Sequence, residues 1–184
     1  MRTDLRVVLD ACVLIPMPVA DTLLRLAEEP RLYEPKWSHM IMDEVTRNLV
    51  MKWNMPAGKA RRREEALLRH FPEAWVEGFE PMIDGMTNDP KDRHVLATAV
   101  RCHADLIVTY NRRHFPDDSL RSWKIAVQGP STFLRGMYDL DPTLVVHKLQ
   151  GQSAAIGLTL QRLLTSLSKN VPAFVQYLSE KEPF

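Results

Sequence analysis

Three carboxylates stand where predicted secondary-structure elements meet the protein interior. Asp10 ends an apolar, β-branched run that is typical of a buried strand. Asp92 lies one turn into a predicted helix, on the face whose next members are apolar. Glu44 lies on another predicted helix, beside an apolar row. Carboxylates grouped at buried edges repel one another and one stays protonated unless a cation joins them, so this pattern predicts a site for a hard metal ion.

Each acidic residue also has a purely structural interpretation. Asp10 alone fits a turn after a strand, and Glu44 alone fits a solvated helix face. Asp89 and Asp92 together fit a helix start, with Asp89 as the N-cap ahead of Pro90. The capping role is favoured for Asp89, whereas the apolar face that Asp92 shares favours a role in the site. Single positions therefore do not identify the chemistry.

Strand and helix patterns alternate through the first 130 residues. The short runs that indicate strands are 6–10, 31–34, 106–109 and 124–127. The segments with helical spacing are 18–28, 38–52, 56–70 and 89–103, and Ser38 is the candidate N-cap of the second. Strands separated by helices of this length predict an α/β fold with a central parallel sheet flanked by helices. The carboxyl ends of such strands are where ligands bind, which is where Asp10 and Asn111 stand.

The pattern changes after Gly129, where no strand is evident. Helical segments are predicted near 131–138, 142–152, 155–168 and 172–180. Four leucines in the third segment have the i, i+3, i+4, i+7 spacing of an apolar helix stripe: Leu160, Leu163, Leu164 and Leu167. We therefore expect two units, an α/β core over residues 1–130 and an all-helical C-terminal extension over residues 131–184.

The composition is that of an ordinary globular protein. The chain has 184 residues, of which 45% are hydrophobic and 26% charged, with 24 Lys and Arg against 23 Asp and Glu. This balance excludes a strongly basic nucleic-acid-binding protein, so any contact with nucleic acid must use local patches. Two cysteines, Cys12 and Cys102, exclude a disulfide framework and a four-cysteine zinc site. No membrane span or signal peptide is recognised, which predicts a cytoplasmic protein with no membrane partner.

Four segments in order resemble the motifs of PIN-domain nucleases. They are VVLDACVL around Asp10, DEVTRNL around Glu44, DPKDRHVLATA around Asp92 and LIVTYNRRHFP around Asn111. Their order and spacing cover residues 6 to about 130. The resemblance implies a PIN-like three-layer fold for this part of the chain. The helical segment after residue 130 is similar to the C-terminal extension of one group of VapC-type toxins in this family.

The resemblance also implies roles for individual residues. Asp10, Glu44 and Asp92 would be acidic ligands of Mg²⁺ or Mn²⁺. Asn111 takes the fourth catalytic position, where many members of the family have Asp. Its side-chain carbonyl still offers an oxygen to a hard cation, but the lost negative charge leaves open whether one or two ions bind.

Further candidates flank these acidic motifs. The basic residues predicted to position a substrate backbone are Lys91, Arg93, Arg112 and Arg113. Thr109 and Asp89 are additional site candidates. The run Arg61–Arg63 fits either a nucleic-acid patch or a solvated helix face. His94 is predicted to be structural, His114 is a candidate for stacking on a base, and Cys12 is interpreted as a small core residue.

The resulting prediction is a metal-dependent endoribonuclease. The partners implied are an RNA substrate and a protein antitoxin, with a homodimer left open. A phosphatase of the haloacid dehalogenase type is disfavoured, because it needs a second Asp two positions after the first, where Cys12 stands. The other alternative is a non-enzymatic PIN-like binding module, in which Asn111 would mark a degenerate metal site.

Overall fold

Four short strands form a parallel sheet in the computed structural model, which describes residues 5–182. The strands are β1 (Arg6–Leu9), β2 (Glu34–Lys36), β3 (Leu106–Val108) and β4 (Ala126–Gln128). Their order across the sheet is β2-β1-β3-β4, and all neighbours run parallel. The chain leaves β1 first toward β2 and later returns to its other side as β3. This reversal creates a crevice beyond the carboxyl ends of β1 and β3, where ligands bind in sheets of this kind.

Helices flank this sheet, which confirms the predicted α/β class. Within residues 5–182 they are α1 (Ala11–Leu14), α2 (Met17–Ala27), α3 (His39–Met51), α4 (Ala57–His70), α5 (Arg93–Arg101), α6 (Asp117–Leu120), α7 (Pro130–Leu140), α8 (Pro142–Ala155), α9 (Leu160–Leu167) and α10 (Pro172–Lys181). Helix α5 packs on β1 and β3, and α2 packs on β2. None of these helices has the length and apolar character needed to cross a membrane.

The helix starts follow the capping residues that the sequence indicates. The Ser38 hydroxyl accepts a hydrogen bond from the backbone N–H of Ile41 and begins α3. Asp89 accepts the N–H of Lys91 at 3.0 Å and begins a 3₁₀ turn over Pro90–Asp92, which leads into α5. The predicted cap at Asp89 is therefore confirmed. Asp92 makes no capping hydrogen bond with its side chain, which leaves its carboxylate for other contacts.

Two predicted strands are displaced along the chain. Strand β2 begins at Glu34 rather than at Arg31, because the backbone N–H of Leu32 donates to the carbonyl of Leu26 near the end of α2 rather than to a strand. Pro35 lies within β2, which is tolerated because β2 is an edge strand. Strand β4 begins at Ala126 rather than at Lys124, whose φ of 57° is left-handed and incompatible with a strand.

The four helical segments after residue 130 are confirmed, with one shifted boundary. Helix α8 continues to Ala155, and Gly157 follows at a φ of 66° that favours glycine. The third segment therefore begins at Leu160 rather than near residue 155. In α9, Leu163, Leu164 and Leu167 are buried, while Leu160 is half-buried.

The helical extension shares its core with the sheet. The ring of Phe133 on α7 meets the ring of Tyr33 edge-on, with centroids 5.0 Å apart. On α8, the buried Gln152 accepts a hydrogen bond from the Thr22 hydroxyl on α2 at 2.7 Å. Buried apolar side chains of both parts belong to one continuous cluster. We therefore expect the two parts to unfold together, because exposing either share of this cluster to water is unfavourable.

Removal of the Phe133 side chain tests this shared core. We expect Phe133→Ala to lower the free energy of unfolding by about 3–5 kcal/mol, because it leaves a cavity against Tyr33. Urea denaturation should show a single transition in both proteins. Leu140→Ala on the same helix is the matched control, since Leu140 is 46% exposed and should cost under about 1 kcal/mol. Two separate transitions in the wild-type protein would show that the extension folds independently.

Candidate active site

Asp10 lies at the carboxyl end of β1, where α1 begins, and is 3% exposed. Its Oδ2 atom accepts a hydrogen bond from the Thr109 hydroxyl at 2.6 Å. The Cys12 thiol donates to the same oxygen at 3.2 Å. The backbone N–H of Asp10 also donates to the carbonyl of Val108 on β3, at 3.1 Å. The carboxylate is therefore fixed at the crevice between β1 and β3.

Thr109 connects Asp10 to Asn111. While its hydroxyl donates to Asp10, its oxygen accepts the backbone N–H of Asn111 at 2.9 Å. The N–H of Thr109 itself donates to the carbonyl of Gln128 on β4 at 3.0 Å. One buried hydroxyl thus sets the positions of two candidate residues that come from distant parts of the sequence.

Asp92 reaches the same end of the sheet from the start of α5 and is 7% exposed. Its Oδ2 atom lies 2.7 Å from Nδ1 of His114, a hydrogen-bond distance. His114 belongs to the 3₁₀ turn Arg112–His114 that follows Asn111. The N–H of Asp89 also donates to the carbonyl of His114 at 3.0 Å. The loop after β3 is therefore pinned to the start of α5.

Glu44 enters from the second turn of α3, with one third of its side chain exposed. Its Oε2 atom lies 3.7 Å from Nε2 of His94, which is on α5 two residues beyond Asp92. That nitrogen is buried and has no hydrogen-bond partner among the described residues. Glu44 is therefore the most accessible of the three carboxylates, and the ring of His94 lies beside it.

The charges of these residues act on one another. Burial raises the pKa of Asp10 above its ordinary value, and the negative charge of Asp92 raises it further, although the Thr109 hydrogen bond opposes both. Burial also raises the pKa of Glu44, as do the charges of Asp10 and Asp92. Burial lowers the pKa of His94, against the attraction of both aspartates. The structure thus brings Asp10, Glu44 and Asp92 into one electrostatic unit.

The surroundings of Cys12 disfavour a thiolate nucleophile. Burial raises the pKa of its thiol, and the neighbouring charge of Asp10 raises it further. The sequence interprets Cys12 as a small core residue, and the structure places it half-buried against the core. It does more than fill space, however, because it donates to Asp10 and its sulfur accepts the backbone N–H of Tyr110.

The donor set fits a hard divalent cation in its chemistry. Asp10, Glu44 and Asp92 offer carboxylate oxygens, and their mutual repulsion is the condition that a bound cation relieves. Within residues 5–182, however, no three Asp, Glu, His or Cys side chains are arranged as a ready metal-binding group. The charges of these carboxylates affect one another, but their oxygens do not converge on a single point.

The predicted substrate-binding cations divide into two groups. Arg112 and Arg113 are exposed on the turn after Asn111, and Lys91 is exposed beside Asp89. Arg93 is half-buried, and its Nε atom lies 3.5 Å from the carbonyl of Asn88. Arg112, Arg113 and Lys91 are therefore free to meet a ligand, whereas Arg93 is partly committed to the protein.

The basic run on α4 also divides. Arg63 donates to the carbonyl of Leu14 at 2.7 Å and is half-buried, which lowers the pKa of its guanidinium. Arg61 and Arg62 are exposed. Arg63 therefore ties α4 to α1, and the run is only in part a solvated helix face.

Two histidines contribute more than the sequence indicates. The sequence predicts a structural role for His94, yet its ring lies 3.7 Å from Glu44. The sequence offers His114 as a candidate for stacking on a base, yet its ring lies at hydrogen-bond distance from Asp92. His94 lies two residues after Asp92 in the sequence, and this proximity was the one signal that could have placed it at the candidate site. The contact of His114 joins residues 22 apart across two loops, so no local pattern could reveal it.

The raised pKa of Asp10 predicts how stability varies with pH. Between the unfolded pKa of about 3.9 and the higher folded value, the folded state binds more protons, so stability falls as pH rises. Asp10→Asn removes this penalty while keeping an oxygen for Thr109 to donate to. In metal-free buffer, we expect the stability advantage of the variant to grow as pH rises from about 4 to the raised pKa of folded Asp10. The gain should be about 1.4 kcal/mol for each pH unit that separates the folded pKa from the unfolded one.

Thermal or urea unfolding across this pH range measures that difference. Asp43→Asn is the matched control, because Asp43 is an exposed neighbour of Glu44 on α3 and its profile should follow wild type. A difference between Asp10→Asn and wild type that is constant with pH contradicts the assignment.

Comparison with known proteins bears on this geometry. Residues 6–113 match the family model described as PIN domain. The chain is also 39% identical over 104 residues to a Mycobacterium tuberculosis (strain ATCC 25618 / H37Rv) protein named "Putative ribonuclease VapC50". This match spans 55% of the chain and 62% of that relative, which is less than two thirds of its length. No solved structure gives a significant match. Because the family match covers more than half of the chain and contains Asp10, Glu44, Asp92 and Asn111, this chain belongs to the PIN-domain family.

Proposed function

We propose that this protein is a metal-dependent endoribonuclease that hydrolyses RNA phosphodiester bonds. The observation that carries the proposal is the pair of buried carboxylates Asp10 and Asp92, which are coupled in charge to Glu44 at the crevice of a parallel sheet. The name of the 39% identical relative supports RNA as the substrate class. Hydrolysis suits this site, since burial and the charge of Asp10 raise the pKa of the Cys12 thiol and disfavour a thiolate nucleophile.

The proposed ligands of Mg²⁺ or Mn²⁺ are Asp10, Glu44 and Asp92. When bound, such an ion supplies an activated water and stabilises the charge on the leaving oxygen. Thr109 holds the carboxylate of Asp10 in place, and His114 holds that of Asp92. Such outer contacts orient ligands, so these two residues act through the carboxylates. The carboxylate of Glu44 is the most accessible of the three to an ion from solvent.

The biological role that we propose is that of a toxin paired with a protein antitoxin in the cytoplasm. The similarity to a VapC protein supports this role. A homodimer remains a prediction. Induced expression of the wild-type chain should arrest bacterial growth, whereas expression of the Asp92→Asn variant should not. Equal growth with both chains argues against the toxin role.

Loss of a metal-ligating charge tests the reaction. We expect Asp92→Asn and Asp10→Asn each to lower RNA cleavage by at least about 100-fold, because each removes one anionic ligand. Cleavage of a labelled RNA in Mn²⁺ and in Mg²⁺ is the measurement, with circular dichroism to establish folding. Asp43→Asn, an exposed neighbour of Glu44, should retain wild-type cleavage. Undiminished cleavage by a folded Asp92→Asn protein refutes the assignment.

Asn111 tests the fourth position of the site. If its side chain faces the ion as a neutral ligand, Asn111→Asp adds a charge and should tighten Mn²⁺ binding on the order of tenfold. Titration calorimetry in one buffer compares the two proteins. Asn54→Asp adds the same charge at an exposed turn and should leave the affinity unchanged. No saturable Mn²⁺ binding in the wild-type protein would favour the non-enzymatic binding module instead.

A further inference from the structure

A groove runs along the outer side of the edge strand β4. Its volume is about 800 Å³, and residues Ala126 and Val127 of β4 form one wall. The charged residues that line it are Arg112, Arg113, Asp117, Arg121 and Lys124. We call this feature the basic groove. Its floor is apolar, because Phe115, Leu120 and Ile125 line it and are nearly buried.

The basic groove has an excess of uncompensated positive charge. Four cations face a single lining carboxylate, that of Asp117. Among the described residues, Arg121 is the one of these cations with a carboxylate within 4.0 Å, that of Asp118 at 3.3 Å. Both partners of that pair are more than three-quarters exposed, so the pair is weak and easily exchanged for another anion. The groove is therefore suited to a polyanion.

The basic groove adjoins the candidate active site through one turn of the chain. Arg112 and Arg113 share a 3₁₀ turn with His114, whose ring contacts Asp92. Lys124 and Ile125 also line an adjoining hollow that contains Trp123. Trp123 is 45% exposed. Four cations and an accessible aromatic face thus lie on the segment of chain that follows the loop of the site.

We propose that the basic groove binds single-stranded RNA on one side of the cleaved bond, with phosphates on Arg113, Arg121 and Lys124 and a base stacked on Trp123. The inference rests on the proposed function for its substrate. Alternating cations and an exposed aromatic ring are what unpaired nucleotides need, because the backbone is neutralised while a splayed base finds a stacking partner. An acidic protein segment would also contact the cations, but its carboxylates would not stack on the ring of Trp123.

Binding in the absence of metal separates this groove from catalysis. The probe is a fluorescein-labelled oligouridine of about 12 nucleotides, within the range that single-strand sites cover. Anisotropy titrations in EDTA across a salt series give both the affinity and its salt dependence. For the double variant Arg121→Gln with Lys124→Asn, we expect about tenfold weaker binding. The slope of log affinity against log salt should fall by about 1.4, since each phosphate contact to a single strand contributes about 0.7.

Two further variants make the test specific. Arg162→Gln with Lys181→Asn removes the same charge from exposed positions on α9 and α10 that do not line the groove, and should leave affinity and slope near wild type. Trp123→Leu should weaken binding about fivefold or more without changing the slope, because stacking carries no counterion term. Asparagine is chosen at Lys124 because it tolerates the left-handed φ of 57° at that position.

The outcomes distinguish the groove from the proposed nuclease. If the slope of log affinity against log salt is unchanged in the Arg121 and Lys124 variant while the wild type still cleaves RNA, the RNA-binding groove is overturned and the nuclease function is retained. A reduced slope without any cleavage by the wild type in Mn²⁺ supports the groove and overturns the nuclease. If both double variants weaken oligouridine binding equally, the effect comes from net charge alone, and the proposal of an RNA-binding groove is overturned. If the Arg121→Gln, Lys124→Asn variant loses binding to a labelled polyglutamate peptide but retains binding to oligouridine, the groove binds an acidic protein segment instead of RNA.

Discussion

The hydrogen bond from the Thr109 hydroxyl to Asp10 joins the ends of the two strands between which the candidate site lies. At 2.6 Å it is short, as expected when the acceptor carries charge, and it opposes the rise in pKa that burial imposes on Asp10. The same oxygen of Thr109 receives the N–H of Asn111, so the loop after β3 takes its direction from this bond. The register of β1 against β3 makes this possible, because Leu9 pairs with Val108 and places the next residue of each strand side by side.

The consequence of this arrangement is repulsion among carboxylates at one edge of the sheet. The burial of Asp10 and Asp92 close enough for their charges to interact does not stabilise the fold, since both desolvation and like charge disfavour ionisation. The surrounding contacts lower this cost. His114 meets Asp92, Thr109 and Cys12 meet Asp10, and each contact comes from an element that the sheet already fixes. Strain of this kind is typical of sites that hold a ligand or perform chemistry.

Local chemistry decided which parts could be predicted from the sequence. The cap at Ser38, the cap at Asp89 and the apolar run of β1 depend on neighbours in the chain, and they were predicted correctly. The predicted start of β4 was wrong, because Lys124 has a left-handed φ of 57°, a conformation that its residue type does not indicate. The meeting of Asp10, Glu44 and Asp92 was anticipated from resemblance and strand order. The contacts of His94 and His114 were not, because they join distant segments whose pairing exists only in the folded sheet.

The helical extension also contacts the loop after β3, which carries Thr109 and Asn111. The hydroxyl of Tyr110, which lies between Thr109 and Asn111, donates to the carbonyl of Asn170 in the turn before α10. Farther away, Gln152 binds both the hydroxyl of Thr22 and the carbonyl of Pro18 on α2. Because α2 follows directly from the segment that begins at Asp10, these contacts brace the strand end and the loop that carry the candidate site. The extension therefore belongs to the framework of the site, and a surface on it that binds another protein would also bear on the position of Tyr110.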